Sequence, residues 1–108
     1  MLYVRALPED FNRWNVSGWD WDMALNMYRR LENWVGSGSD PVPDWHGTGG
    51  AVTTSPPEWV DEVAPFFLES CRAAGIALTP DFNAPAGREG AGMYDFCIKD
   101  GVRDSAAR

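Results

Sequence analysis

Two glycine-rich segments have the composition of phosphate-binding loops in this 108-residue sequence, Gly47–Gly50 and Gly87–Gly92. A dinucleotide-binding loop follows a strand and leads into a helix, whose first backbone amides bind the phosphate. Both segments lead instead into strand-like sequence. We therefore predict that neither one holds a phosphate. The absence of Gly-Lys-Ser or Gly-Lys-Thr also excludes the P-loop nucleoside triphosphatases.

The single histidine, His46, follows Asp44 and Trp45 in a turn-like segment. A metal centre or a catalytic triad requires further ligands or a nucleophile at suitable spacing, and none accompanies it. We expect His46 to order its loop through hydrogen bonds. Cys71 and Cys97 are too far apart for a redox or zinc motif, which favours two free core thiols over a disulfide. We predict no catalytic residue and no metal ligand in this chain.

Composition excludes further classes of function. Sixteen acidic and nine basic residues give a net charge of -7, which disfavours nucleic acid and anionic membranes as partners. No apolar run approaches the roughly 18 residues of a membrane span. The first ten residues lack the basic leader and apolar core of a targeting peptide, so the sequence assigns no compartment.

Local signals predict two helices in the first third of the chain. Pro8 introduces a short helix over residues 9–14. Asp20 caps a second helix that ends at Gly36, with Glu32 on its solvent-facing side. The apolar residues of this second helix recur at three- and four-residue spacing: Trp21, Ala24, Leu25, Tyr28, Leu31 and Val35.

A third helix is predicted over residues 61–74, because Asp61 can cap it, Pro65 falls in its first turn and Gly75 follows its end. Its predicted buried face comprises Val63, Phe66, Phe67, Ser70, Cys71 and Ala74. Residues 51–54 and 93–98 read as strands, Lys99–Gly101 as a turn, and Asp104 or Ser105 as the cap of a further helix. The fold class is therefore α/β (an α+β fragment), with about three helices and two short strands.

These elements alone do not make a complete domain. Two short strands leave unpaired edges, and six tryptophans need packing partners. We expect most of the tryptophans to lie in the core. The chain therefore either has unusual loops or forms part of something larger.

Several short motifs follow one another in a fixed order over nearly the whole chain. They are Tyr3–Ala6 with Asn12, Asp10–Trp14, Gly18–Trp21, Tyr28–Arg30, His46–Gly50, Asp81–Asn83, Gly90–Tyr94 and Gly101–Ala107. This series resembles the glucose-methanol-choline (GMC) flavoprotein oxidoreductases. The first motif is similar to the trailing half of that family's first signature, and the leading half is missing. Ala6 replaces a commoner glycine, and Asp104 replaces a commoner bulky or neutral residue.

The resemblance implies a piece of an FAD-dependent oxidoreductase that passes hydride from a small-molecule alcohol to the flavin. Residues 1–108 would be part of the N-terminal domain, truncated at both ends, with the rest of the parent polypeptide as their partner. The dinucleotide-binding βαβ unit would precede Met1, and the catalytic histidine pair would follow Arg108. In the family, the backbone just after the signature asparagine passes beside the isoalloxazine ring. Met1, Leu2 and Tyr3 are therefore the expected cofactor-binding residues, and His46 matches a structural loop position.

Two alternatives stay open at this point. One branch of the family comprises light-driven fatty acid photodecarboxylases, and the residues that distinguish it would lie outside this chain. The chain could instead be a stand-alone, noncatalytic acidic interaction module. That second alternative predicts a stable, colourless unit of 12.0 kDa.

Overall fold

The computed structural model describes residues 1–36 and 42–104, which form three helices, as predicted, and six short strands instead of two. The helices are α1 (Pro8–Trp14), α2 (Trp21–Leu31) and α3 (Val63–Ala73). The strands are β1 (Leu2–Tyr3), β2 (Glu32–Trp34), β3 (Val52–Thr54), β4 (Asp95–Phe96), β5 (Ile98–Lys99) and β6 (Val102–Arg103). They pair in twos: β1 with β4 and β5 with β6 are antiparallel, and β2 with β3 is parallel. The architecture is a mixture of helices and small sheets.

The first two helices follow their predicted signals and form the apolar core. Pro8 opens α1, and the Asp20 carboxylate caps α2 by accepting a hydrogen bond from the Met23 amide at 2.9 Å. Phe11 of α1 packs against Trp21 and Ala24 of α2, and all three are buried. This contact fixes the angle at which the second helix leaves the first.

The predicted C-terminal end of the second helix is wrong. α2 ends at Leu31, and Glu32–Trp34 form β2, which pairs with β3 from Glu32 opposite Val52 to Trp34 opposite Thr54. Glu32 was expected on the solvent face, but its side chain is completely buried. The apolar periodicity favours a longer helix. The helix ends earlier because the Glu32 carboxylate accepts hydrogen bonds from Arg5 and Thr54, which are far away in the sequence.

Helix α3 has the predicted boundaries to within two residues at each end. The Asp61 carboxylate accepts a hydrogen bond from the Val63 amide at 2.9 Å, and Gly75 follows the helix with a left-handed φ of 82°. The predicted buried face is nevertheless wrong, because no residue of α3 is buried. Phe66 is 74% and Phe67 is 63% exposed. Helical periodicity identified residues that share a face, but nothing in the described residues covers that face.

The predicted strand over residues 93–98 divides into β4 and β5 at Cys97. The Cys97 amide donates to the Met1 carbonyl at 2.8 Å, and the Cys97 carbonyl accepts from the Asp104 amide at 3.0 Å. Asp100 and Gly101 both have positive φ and connect β5 to β6, which confirms the predicted turn. The further helix expected at Asp104 or Ser105 lies mainly outside the described residues.

Two expectations about side chains have mixed outcomes. Both cysteines are free, as predicted, although only Cys97 is buried. The tryptophans are less buried than expected, since Trp14, Trp19 and Trp59 are exposed. Within residues 1–36 and 42–104, no helix has the length and apolar character needed to cross a membrane.

Candidate functional site

Four charged side chains form a buried network where the start of β2 meets the segments around residues 46 and 81. A guanidinium nitrogen of Arg5, Nη2, lies 2.6 Å from Oε2 of Glu32. The same carboxylate oxygen lies 2.9 Å from Nδ1 of His46, and Nε2 of His46 lies 3.0 Å from Oδ2 of Asp81. The side chains of Arg5, Glu32 and His46 have no exposed surface. Two positive and two negative charges thus balance within one cluster.

Glu32 is the centre of this network because donors from three other segments converge on its carboxylate. Besides Arg5 and His46, the Gly47 amide donates to Oε2 at 2.9 Å and the Thr54 hydroxyl donates to Oε1 at 2.7 Å. A buried carboxylate is stable only when its oxygens are satisfied in this way. The network therefore joins the end of α2 to the histidine turn and to β3.

Glycine at position 47 permits this close approach. A Cβ on Gly47 would lie 1.8 Å from the carbonyl oxygen of Arg29, near the end of α2. The Gly50 amide donates to the Glu32 carbonyl at 3.0 Å, and the segment continues into strand β3. Gly47 and Gly50 thus allow close contact with the protein's own backbone, whereas Gly49 has open space beside it.

The charge states in the network follow from its geometry. Burial alone would lower the pKa of His46, but hydrogen bonds with Asp81 and Glu32 raise it to about 9. Both ring nitrogens face carboxylate oxygens, so both donate and the ring is an imidazolium. Burial would raise the pKa of Glu32 and of Asp81, yet the hydrogen bond from His46 leaves each pKa below its ordinary value. Trp34 stacks on the His46 ring at a centroid distance of 4.5 Å.

This arrangement suits structural support better than catalysis. A protonated His46 with both nitrogens engaged can neither accept a proton nor ligate a metal. One potential ligand atom each from His46, Asp81 and Asp95 lies within 4.8 Å of the others, but Nε2 of His46 would have to lose its proton and its hydrogen bond with Asp81 to bind a cation. The prediction that His46 orders its loop through hydrogen bonds is confirmed.

The segment expected to contact a cofactor, Met1–Tyr3, is joined to this network. Met1 and Leu2 are 53% and 55% exposed, and the half-buried Tyr3 hydroxyl accepts a hydrogen bond from Nε of Arg5 at 3.3 Å. Burial raises the pKa of the Tyr3 phenol. The side chain of Asn83 also reaches this segment, because Oδ1 accepts from the Arg5 amide at 3.0 Å and Nδ2 donates to the Tyr3 carbonyl at 3.2 Å.

Sequence reasoning found His46 but missed Arg5, Glu32, Asp81 and Asn83 as members of one cluster. Glu32 is 27 positions from Arg5, and His46 is 35 positions from Asp81, so no local spacing connects them. Three of these four residues lie in the Tyr3–Ala6 and Asp81–Asn83 motifs, whose family resemblance does not indicate that their side chains meet.

Comparison with known proteins places this geometry in a wider context. No family model matches the chain. An alcohol dehydrogenase (acceptor) of Pseudomonas putida is 31% identical over 111 residues, covering 100% of this chain and 19% of that protein. An oxygen-dependent choline dehydrogenase of Rhizobium etli is 34% identical over 110 residues, covering 99% of this chain and 19% of that protein.

Solved structures share the fold. The crystal structure of pyridoxine 4-oxidase from Mesorbium loti superimposes with a TM-score of 0.79 and 27% identity, covering 95% of this chain and 20% of that chain. Formate oxidase superimposes with a TM-score of 0.77 at 22% identity. The chain thus spans about a fifth of the length of the relatives that it matches.

Proposed function

This chain belongs to the glucose-methanol-choline (GMC) oxidoreductases, and from that premise we propose that the whole protein is an FAD-dependent enzyme that oxidises a CH–OH group of a small organic molecule. The observation that carries the proposal is a match that runs through 99–100% of the chain and is accompanied by a shared fold at a TM-score of 0.79. FAD supplies the acceptor for hydride in such a reaction.

The start of the chain suits contact with an aromatic ring system. Met1 and Leu2 present apolar, half-exposed side chains, and strand β1 carries no charged residue. The faces and the dimethylbenzene edge of an isoalloxazine ring are apolar, so such a surface can pack against them without burying an unpaired charge. We therefore infer that Met1, Leu2 and Tyr3 form part of the flavin site.

The phosphates of FAD would be held elsewhere in the protein. The turn at Gly47–Gly50 packs against backbone at the end of α2, and a Cβ at Gly92 would lie 2.1 Å from the Thr79 carbonyl oxygen. These turns leave no cradle for a phosphate. In this proposal the chain lines the isoalloxazine side of the site, while the dinucleotide unit and the catalytic histidine pair are supplied by other parts of the polypeptide.

Exposed apolar side chains support the proposal that residues 1–108 are part of a larger N-terminal domain. Trp59 is 75% exposed, and Phe66 and Phe67 of α3 lie close to it in the sequence and are also exposed. Large apolar side chains that are exposed side by side, as Phe66 and Phe67 are on α3, normally mark a surface that packs against other protein. The rest of the parent polypeptide is the partner that we propose for it.

The test is to isolate the native product from its source with an antibody against this chain, then to combine size-exclusion chromatography with full visible spectra. We expect a yellow species several times larger than 12.0 kDa, with flavin absorption that is bleached by a small alcohol in the absence of other electron acceptors. A colourless species of about 12 kDa would overturn the proposal and favour the acidic interaction module. Light-dependent release of CO₂ from a fatty acid, without oxidation of alcohols, would identify the photodecarboxylase alternative.

A further inference from the structure

Asn83 binds the main chain at the end of β1 and two residues beyond it, at Arg5, as a neighbouring strand would. Its Oδ1 accepts from the Arg5 amide at 3.0 Å, and its Nδ2 donates to the Tyr3 carbonyl at 3.2 Å and to Oδ2 of Asp95 at 3.2 Å. The carbonyl of one strand residue and the amide two residues later lie on the same edge of a strand. The ladder between β1 and β4 ends at the pair Tyr3–Asp95. The side chain of Asn83 continues the hydrogen bonding along the same edge, as far as the Arg5 amide.

The three hydrogen bonds engage both donors and the oxygen of the Asn83 side-chain amide. Its oxygen meets a donor, and both hydrogens of its NH₂ group meet acceptors. No other side chain of similar size provides one acceptor and two donors in this plane. An aspartate would lose both donors, and an alanine would leave the buried Arg5 amide without its partner.

The buried charge network holds Asn83 itself in place. The backbone N–H of Asn83 donates to Oδ1 of Asp81 at 2.7 Å. The other carboxylate oxygen of Asp81 lies 3.0 Å from Nε2 of His46. Asn83 is 1% exposed. Its position is therefore set by the charge network, and it transmits that position to the backbone of β1.

Strand β1 needs such support because it is only two residues long. A two-stranded ladder of this length is marginal in water. Met1 and Leu2 have more than half of their surface exposed, so their side chains receive little packing that would fix them. The bonds from Asn83 and from the Cys97 amide extend the short ladder with β4 on both sides and help to hold the main chain of this segment.

We propose that Asn83 is a positioning residue for the cofactor, which fixes the segment Met1–Tyr3 at its distance and angle to the isoalloxazine ring. This inference rests on the proposed function. It assigns Asn83 no part in the reaction itself. Its effect on the flavin passes through the backbone of Tyr3 and Arg5.

The test compares two asparagine variants in the full-length protein that contains this chain. Asn83→Ala removes the bonds to β1, whereas Asn12→Ala removes a matched bond, from the Trp21 amide to Oδ1 of Asn12 at 3.0 Å, which lies between α1 and α2. The readouts are the visible circular dichroism of the bound flavin, its midpoint potential and the Kd for FAD of the apoprotein. These report the surroundings of the flavin, and a residue that only stabilises the fold would leave them unchanged.

We expect Asn83→Ala to alter the visible circular dichroism and the potential and to raise the Kd for FAD about tenfold, because the segment Met1–Tyr3 loses bonds that order it before FAD binds. We expect Asn12→Ala to lower the melting temperature without changing the three flavin readouts. Identical flavin properties in both variants would overturn the inference alone. A wild-type protein without flavin would instead contradict the proposed function.

Asn83→Ser provides a second measurement where Asn83→Ala does not fold. Its hydroxyl can bond either the Arg5 amide or the Tyr3 carbonyl, so we expect a smaller change in the same direction. Failure of both variants to fold, with Asn12→Ala folded and yellow, would overturn the positioning role and leave Asn83 as a residue required for folding.

Discussion

Nδ1 of His46 lies 2.9 Å from Oε2 of Glu32, and neither side chain has any exposed surface. This contact joins the turn at residues 46–47 to the first residue of β2, and Arg5 binds the same carboxylate oxygen. The pair is therefore the point at which the beginning of the chain, the end of α2 and the histidine turn meet.

Glu32→Gln tests whether this carboxylate holds the three segments together. A glutamine keeps the shape but removes the charge and replaces one acceptor oxygen by a donor. Arg5 is then a buried cation without its carboxylate, and His46 keeps only its contact with Asp81. Breaking a buried pair in this way costs about 3–5 kcal/mol. We expect a large loss of stability in urea unfolding of the 108-residue chain, followed by tryptophan fluorescence.

Glu69→Gln is the matched control for that substitution. Glu69 pairs with Arg72 on the exposed surface of α3, with side chains that are 61% and 65% exposed. Solvent screens such a pair, so we expect almost no change in the unfolding midpoint. Equal effects of the two substitutions would show that the Glu32 carboxylate is not the centre of the network.

The pH dependence of stability follows from the pKa of His46, which rises from 6.5 to about 9 on folding. A raised pKa in the folded state means that the stabilisation is fully present below pH 6.5 and is lost as the pH rises through 9. The difference corresponds to something on the order of 3 kcal/mol. We expect the unfolding free energy to fall between pH 6.5 and 9.

The acidic side of the profile has the opposite cause. Glu32 and Asp81 have lowered pKa values, so their stabilisation is present above their ordinary pKa values and is lost as the pH falls from there through the lowered ones. Burial raises the pKa of Asp95, whose ionisation works against folding as the pH rises. His46→Gln is the control, and it should abolish the decline above pH 6.5. A decline that persists in His46→Gln would assign it to another group.

Local chemistry predicted the elements that depend on neighbouring residues. The cap at Asp20 and the turn at Asp100–Gly101 are both present, because each is determined by residues within one turn of the chain. The end of α2 was not predictable in the same way. Glu32 leaves the helix to meet Arg5 and Thr54, and its partners lie 27 and 22 positions away.

The site shows the same division between local and long-range information. A lone histidine in a turn was correctly expected to make hydrogen bonds, but no periodicity connects His46 with Asp81. For α3, the spacing of Phe66 and Phe67 indicated an apolar face without indicating what covers it. The contact of Met1–Tyr3 with flavin stays a prediction, because it involves a molecule and residues outside this chain.

Gly47→Ala tests the close approach of the histidine turn to α2. A Cβ at this position would lie 1.8 Å from the Arg29 carbonyl oxygen. Both atoms are fixed to the backbone, so neither can relieve the clash by a change of side-chain rotamer. We expect a loss of about 3 kcal/mol in the unfolding free energy, at the upper end of overpacking. Gly75→Ala is the control. It has a left-handed φ of 82° but no atom within 4 Å of its Cβ, so it should cost only about 1 kcal/mol.

Phe66→Ala and Phe11→Ala form a matched pair that tests what the apolar face of α3 does within this chain. Phe11 is 8% exposed and packs on Trp21 and Ala24, whereas Phe66 is 74% exposed. Phe11→Ala should therefore lower the unfolding free energy by about 3–5 kcal/mol, as for other core phenylalanines. Phe66→Ala should change it by no more than about 0.5 kcal/mol while reducing the binding of a hydrophobic dye. A loss of stability in Phe66→Ala comparable with that in Phe11→Ala would mean that α3 packs within these 108 residues, and its face would then be unavailable to the rest of a larger protein.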